Sequence, residues 1–137
     1  MSIPGIGRVL KDAGIEHTLT DGWRDRVWYR DGKPFEWDEI RSVVTHTTES
    51  TPSAFQRGED APTLQWVING QGYHTYSLLI GRSGHVYVIS AHPGAQAGYG
   101  VWPHTGDVGS VIPRDMGNSY SLGVAMDASV QYPPTRE

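Results

Sequence analysis

Cysteine is absent from the 137 residues, which excludes a disulfide framework and any thiolate metal site built from this chain. Lysine is nearly absent, with Lys11 and Lys33 the two examples. No Lys/Arg run exists and the net charge is −4, so the basic footprint of a nucleic-acid binder is missing and no nucleic-acid partner is expected. No apolar stretch approaches the length of a membrane span, and membrane insertion is not expected either. Met1-Ser2-Ile3-Pro4-Gly5 lacks the basic start and apolar run of a secretory signal, so the expectation is a chain made in the cytoplasm. The familiar short motifs of catalysis are missing as well: no Walker loop, no G-x-G-x-x-G, no G-x-S-x-G and no H-E-x-x-H. A glycosidase needs two facing carboxylates. Asp38-Glu39 and Glu59-Asp60 instead fall where turns and helix starts account for them.

What is present describes a folded domain. Apolar residues make up 37% and charged residues 19%, which places the chain among globular proteins rather than disordered ones. Its length suits one domain, residues 1–137, with a real core. Seventeen glycines and nine prolines predict many turns and long loops around a compact sheet.

Ile6, Val9 and Leu10 recur at helical spacing and Gly14 follows, predicting a short amphipathic helix with a glycine stop. Ile15 to Leu19 reads as a brief strand. Trp23, Arg24, Arg26, Trp28 and Tyr29 read as an edge strand packing its aromatics on the sheet, with a carbohydrate or peptide platform as the alternative. Ile40 to Thr47 is expected to be a buried strand. Thr51-Pro52 resembles a helix cap followed by proline at the first helical position, and Asp60-Ala61-Pro62 repeats that pattern. One or two helices are therefore expected between 52 and 69. Tyr76 to Ile80 and His85 to Ile89, separated by Gly81-Arg82-Ser83-Gly84, predict a β-hairpin. Residues 91–118 form a long glycine-rich stretch of the kind that is usually functional or mobile. Tyr120 to Met126 is the last expected strand. The fold class is α/β: a mixed β-sheet flanked by helices, with the hairpin and the His46 strand central.

The stretch Val43-Val44-Thr45-His46-Thr47-Thr48-Glu49 concentrates the chemistry. A histidine at the carboxyl end of an apolar strand sits on a rigid element, where a metal ligand or a base is well held. Three segments then occur in order: residues 43–49, Tyr76 through Val88 with the Gly84 turn, and Gly117-Asn118-Ser119-Tyr120-Ser121-Leu122-Gly123-Val124. In this order they resemble the zinc-dependent N-acetylmuramoyl-L-alanine amidases shared by phage endolysins and peptidoglycan recognition proteins. Val9-Leu10-Lys11-Asp12-Ala13-Gly14 and Gly22-Trp23-Arg24-Asp25-Arg26 look like the start of amidase domains from phages of actinobacteria.

The resemblance implies a peptidoglycan hydrolase that cleaves the amide between N-acetylmuramic acid and L-alanine with a zinc-activated water. It implies zinc as cofactor, peptidoglycan as partner, a monomer, and action on the bacterial cell wall after release through a phage-made pore. His46 matches the first zinc ligand. Tyr76 matches a tyrosine that assists catalysis, with Tyr73 offering a similar dipeptide three residues earlier. Thr47, Thr48, Trp102 and Asn118 are the candidate substrate-binding residues, with Trp102 lining the groove from the long loop.

Departures from the family pattern carry equal weight. Many relatives have two histidines where this chain has His46-Thr47. A loop histidine before Ala-Gly is Gln96 here, and a glutamate after the final Gly-Val is Ala125. The family's second histidine and its Asp or Cys ligand would fall beyond Glu137, so the domain is expected to be incomplete at its C-terminus. His74, His85, His92 and His104 are the possible substitutes. A non-catalytic peptidoglycan-binding module that keeps the groove but not the metal is the alternative expectation.

Overall fold

Five strands form one mixed sheet in the order β1-β4-β3-β5-β2. The structure is a computed structural model that describes residues 5–28, 34–98 and 112–129. Along the chain run α1 (Ile6–Asp12), β1 (His17–Leu19), β2 (Ser42–Thr47), a 3-10 turn (Pro52–Phe55), α2 (Leu64–Asn69), β3 (Leu78–Ile80), β4 (Val86–Val88), α3 (Gly117–Tyr120) and β5 (Ser121–Met126). β3 and β4 make the antiparallel hairpin, while β5 pairs parallel with both β3 and β2, and β1 pairs parallel with β4.

Alternation along the strands divides the apolar residues between two cores, because successive side chains leave a strand on opposite faces. On one face, Ile6 and Leu10 of α1 join Trp23 and Phe35 over Leu78, Val86, Val88 and Leu122. On the other, Val67 of α2 packs on Leu79, Ile89 and Ala125. A sheet covered on both sides reads as a nearly continuous buried run in its inner strands. β5 has that character, with Ser121, Leu122, Gly123 and Ala125 all buried. The predicted first helix, brief first strand, hairpin and last strand are all present. Gly14 stops α1 in the left-handed conformation at φ +70°, which glycine adopts without strain.

Several expectations are corrected. β2 is not a buried central strand; among the described residues it is an edge strand that pairs with β5 alone. Its residues alternate between half-buried and exposed, and Val43 is 58% exposed. Its apolar start mimicked a core strand, whereas the central positions belong to β3 and β5. Trp23 does not lie on an edge strand: residues 21–25 form turns that drop the indole into the core. Asp60 caps no helix, because α2 begins after Thr63 and Asp60 serves the hairpin turn instead. α3, a single turn ahead of β5, was not expected. No helix among the described residues is long and apolar enough to cross a membrane.

Asp60 ties the turn between β3 and β4. Its carboxylate accepts the Ser83 N–H at 2.6 Å and the Tyr87 hydroxyl at 3.0 Å. Burial works against its ionisation, but these hydrogen bonds outweigh burial and hold the carboxyl below its ordinary range. Gly81 lies so close to this carboxylate that a Cβ there would collide with it.

Candidate functional site

The polar cluster that collects the predicted site residues forms around β2, β5 and the loop before β3. His46 is paired with Ala125 across the β2–β5 ladder and shares a sheet face with it. The His46 ring stands 5.0 Å from the Tyr76 ring, centroid to centroid, tilted by 38°. Tyr76 lies just upstream of β3 and also packs against the Val67–Leu79–Ala125 core. Burial, and secondarily the Glu49 carboxylate, push its phenol pKa up, so the hydroxyl stays a donor throughout the neutral range. Glu49 follows β2 in a left-handed conformation at φ +47°, unusual for a residue with a side chain.

A third group completes the cluster. Gln96 Oε1 lies 3.0 Å from His46 Nε2. Its Nε2 donates to the Ser121 carbonyl at 2.8 Å and reaches the Ser121 hydroxyl at 3.0 Å. Asn118 of α3 holds the same loop from its backbone: Oδ1 accepts the N–H of Gln96 at 3.0 Å and that of Ala97 at 2.6 Å. Gly123 makes room for this arrangement, since a Cβ there would stand 2.6 Å from Gln96 Oε1 and 2.7 Å from its Cδ.

The predicted residues therefore divide. His46, Tyr76 and Asn118 come together, with Asn118 acting on the Gln96 loop. Thr47 is exposed and, one residue on from His46, belongs to the opposite face of the strand. Thr48 is engaged internally: its hydroxyl faces Asp127 Oδ1 at 3.0 Å and the Ala128 carbonyl at 3.1 Å, and accepts from Ser50 and the Ala128 N–H. Asp127, 1% exposed, joins this tie to the start of α2 by accepting the Thr63 N–H at 3.0 Å. Trp102 and His104 lie outside the described residues. Tyr73 does not compete for the place beside His46; its ring pairs with Trp28 at 5.8 Å and its hydroxyl donates to Gln71.

Gln96 belongs to the site although its place in the sequence marks it only as the position of a missing histidine. A signal for it existed in Gly123, because glycine inside a strand often marks a close approach by another group.

The zinc implied by the resemblance can be tested on the donors present. A catalytic zinc needs three protein ligands and an open position. At His46 one ring nitrogen is taken by Gln96, which leaves one for a ligand. The Tyr76 phenol, the Gln96 carboxamide and the paired Ala125 offer no good zinc ligand beside it. Of the possible substitutes, His85 bonds Thr18 at 2.8 Å beside β1. His74 and His92 are buried, with His74 Nε2 donating to the His92 carbonyl at 3.3 Å and His92 Nε2 to the Arg24 carbonyl at 2.9 Å. No group of three His, Asp or Glu placed to hold a metal ion forms among the described residues. These residues alone do not fit the ion.

Fold and site together define a mixed α/β domain with an imidazole, a phenol and a carboxamide gathered against an edge strand. Comparison with family models, with curated proteins and with solved structures finds no match.

Proposed function

We propose that this chain is a peptidoglycan-recognition domain built on the plan of the zinc amidases, which binds the stem peptide of the bacterial cell wall around His46 and Tyr76. One observation carries the reading. The three segments on which the resemblance rests lie far apart in sequence, yet His46, Tyr76 and the Asn118-held loop meet in one cluster. An imidazole and a protonated phenol side by side offer polar atoms suited to the amide groups of a bound peptide. Recognition without hydrolysis is favoured by Ala125, which stands beside His46 where the amidases that the chain resembles carry a carboxylate.

Co-sedimentation with purified insoluble peptidoglycan tests the proposal. Wild-type protein is expected in the pellet, and His46→Ala and Tyr76→Phe are expected to shift it to the supernatant. A wild-type protein that stays wholly soluble with walls overturns the reading.

A second reading, zinc-dependent hydrolysis, draws support from the remaining ring nitrogen of His46 beside Tyr76. It requires ligands from outside the described residues. Release of stem peptide from walls in the presence of zinc, abolished by a chelator, would establish it; intact walls after prolonged incubation would reject it.

A further inference from the structure

The hydrogen bonds around Gln96 determine which nitrogen of His46 carries the proton. The Ser121 hydroxyl donates to the Gly117 carbonyl, so towards Gln96 it can only accept. The Ser121 carbonyl can only accept as well. Both oxygens face the same end of the Gln96 side chain, at 2.8 and 3.0 Å, so that end is the NH2 group and its two hydrogens are used there. The other end, 3.0 Å from His46 Nε2, is therefore the carbonyl oxygen. A carbonyl accepts and never donates, so Nε2 of His46 bears the hydrogen. A neutral imidazole has one ring hydrogen, which leaves Nδ1 with a lone pair.

Nothing in this chain of bonds is free to reverse. Turning the carboxamide over would set its oxygen against the Ser121 carbonyl, two acceptors with no hydrogen between them. Asn118 fixes the backbone of residues 96 and 97, and the bare Cα of Gly123 lets the carboxamide lie flat against β5. We propose that Gln96 is the positioning residue of this site: it holds His46 as the Nε2–H tautomer and so presents Nδ1 as the acceptor for a ligand. Second partners of this kind commonly decide which nitrogen of a histidine does the chemistry. The assignment is independent of what the ligand is, and it stands whether or not the domain binds cell wall.

Long-range 1H–15N correlation spectra of the histidine rings in 15N-labelled protein provide the test. They are recorded at mildly alkaline pH, where an ordinary histidine ring is neutral. The His46 signals are assigned by their loss in His46→Ala. In wild type, Nε2 is expected at the shift of a protonated ring nitrogen and Nδ1 at that of a bare one. In Gln96→Met, which keeps the length but removes the acceptor, the two shifts are expected to move towards each other as the tautomers mix. A Nδ1–H pattern in wild type overturns the proposal even if Gln96→Met fails to fold. An unchanged Nε2–H pattern in a folded Gln96→Met overturns it too. Because the spectra contain no cell wall, their outcome does not depend on the sedimentation result.

Discussion

The ring of His46 and the ring of Tyr76 face each other at 5.0 Å although thirty positions separate them in sequence. Contact of this kind stabilises by about 0.5–1.5 kcal/mol beyond area burial, and it belongs to the rings rather than to the hydroxyl. Tyr76→Phe should therefore leave urea-unfolding stability within about 0.5 kcal/mol of wild type. It should weaken wall sedimentation roughly threefold to tenfold, the worth of one ligand hydrogen bond. Equal loss of stability and binding would mean that the hydroxyl serves the fold.

Gly123→Ala tests the seat of Gln96. A methyl group 2.6 Å from Oε1 must displace the carboxamide, and with it the bonds to Ser121 and His46. Overpacking of this type costs about 1–3 kcal/mol. Denaturant midpoints should fall accordingly, and Gly123→Ala combined with Gln96→Ala should be more stable than Gly123→Ala alone. Strict additivity of the two substitutions would show that they do not share a contact.

His74 sets an acid limit on stability. It is fully buried, and burial first, then the nearby charge of Arg26, lowers its pKa. The unfolded chain, with an ordinary histidine pKa near 6.5, therefore binds more protons in the window just below that pH. Stability is full above about pH 6.5 and declines as the pH falls towards the folded-state pKa. Unfolding free energies measured across this range should slope downward on acidification in wild type. In His74→Gln this contribution to the slope should vanish, and an identical slope would place its origin elsewhere.

Asp60 governs a lower pH window. Its folded-state pKa is lowered, so its contribution is present above the ordinary carboxylate pKa of about 3.9 and is lost as the pH falls through the folded value. Asp60→Ala removes the acceptor for the Ser83 N–H and the Tyr87 hydroxyl. The expected cost at neutral pH is about 1.5–3 kcal/mol, read by urea unfolding. The gap between wild type and Asp60→Ala should narrow as the pH falls below about 3.9 and through the folded-state pKa; a constant gap would deny the carboxylate its role.

What the sequence revealed depended on range. The hairpin from Leu78 to Val88 declared itself because its signals, alternation and a glycine turn, are local. His46 stands out because it ends an apolar run, and Tyr76 because it matches a tyrosine of the amidases that the chain resembles. The position of β2 is not legible in the same way: Val43 and Val44 look like core residues until the partner strands are known, and edge or centre is decided by pairing, not by composition. Asp60 sat where a helix cap would sit, and only the return of residues 81–87 to its side shows what it holds. Gln96 carries no periodicity at all; its importance comes from partners 22 to 50 positions away.

β2 has a consequence for the site it carries. Among the described residues it is held to the sheet through β5 alone, while Tyr76 leads into β3 at the sheet's middle. The two halves of the pair are thus anchored through different neighbours. An edge strand can detach at a fraction of the free energy of global unfolding. Neither core cluster draws on a residue of β2, so parting of that edge would separate His46 from Tyr76 without unpacking the interior.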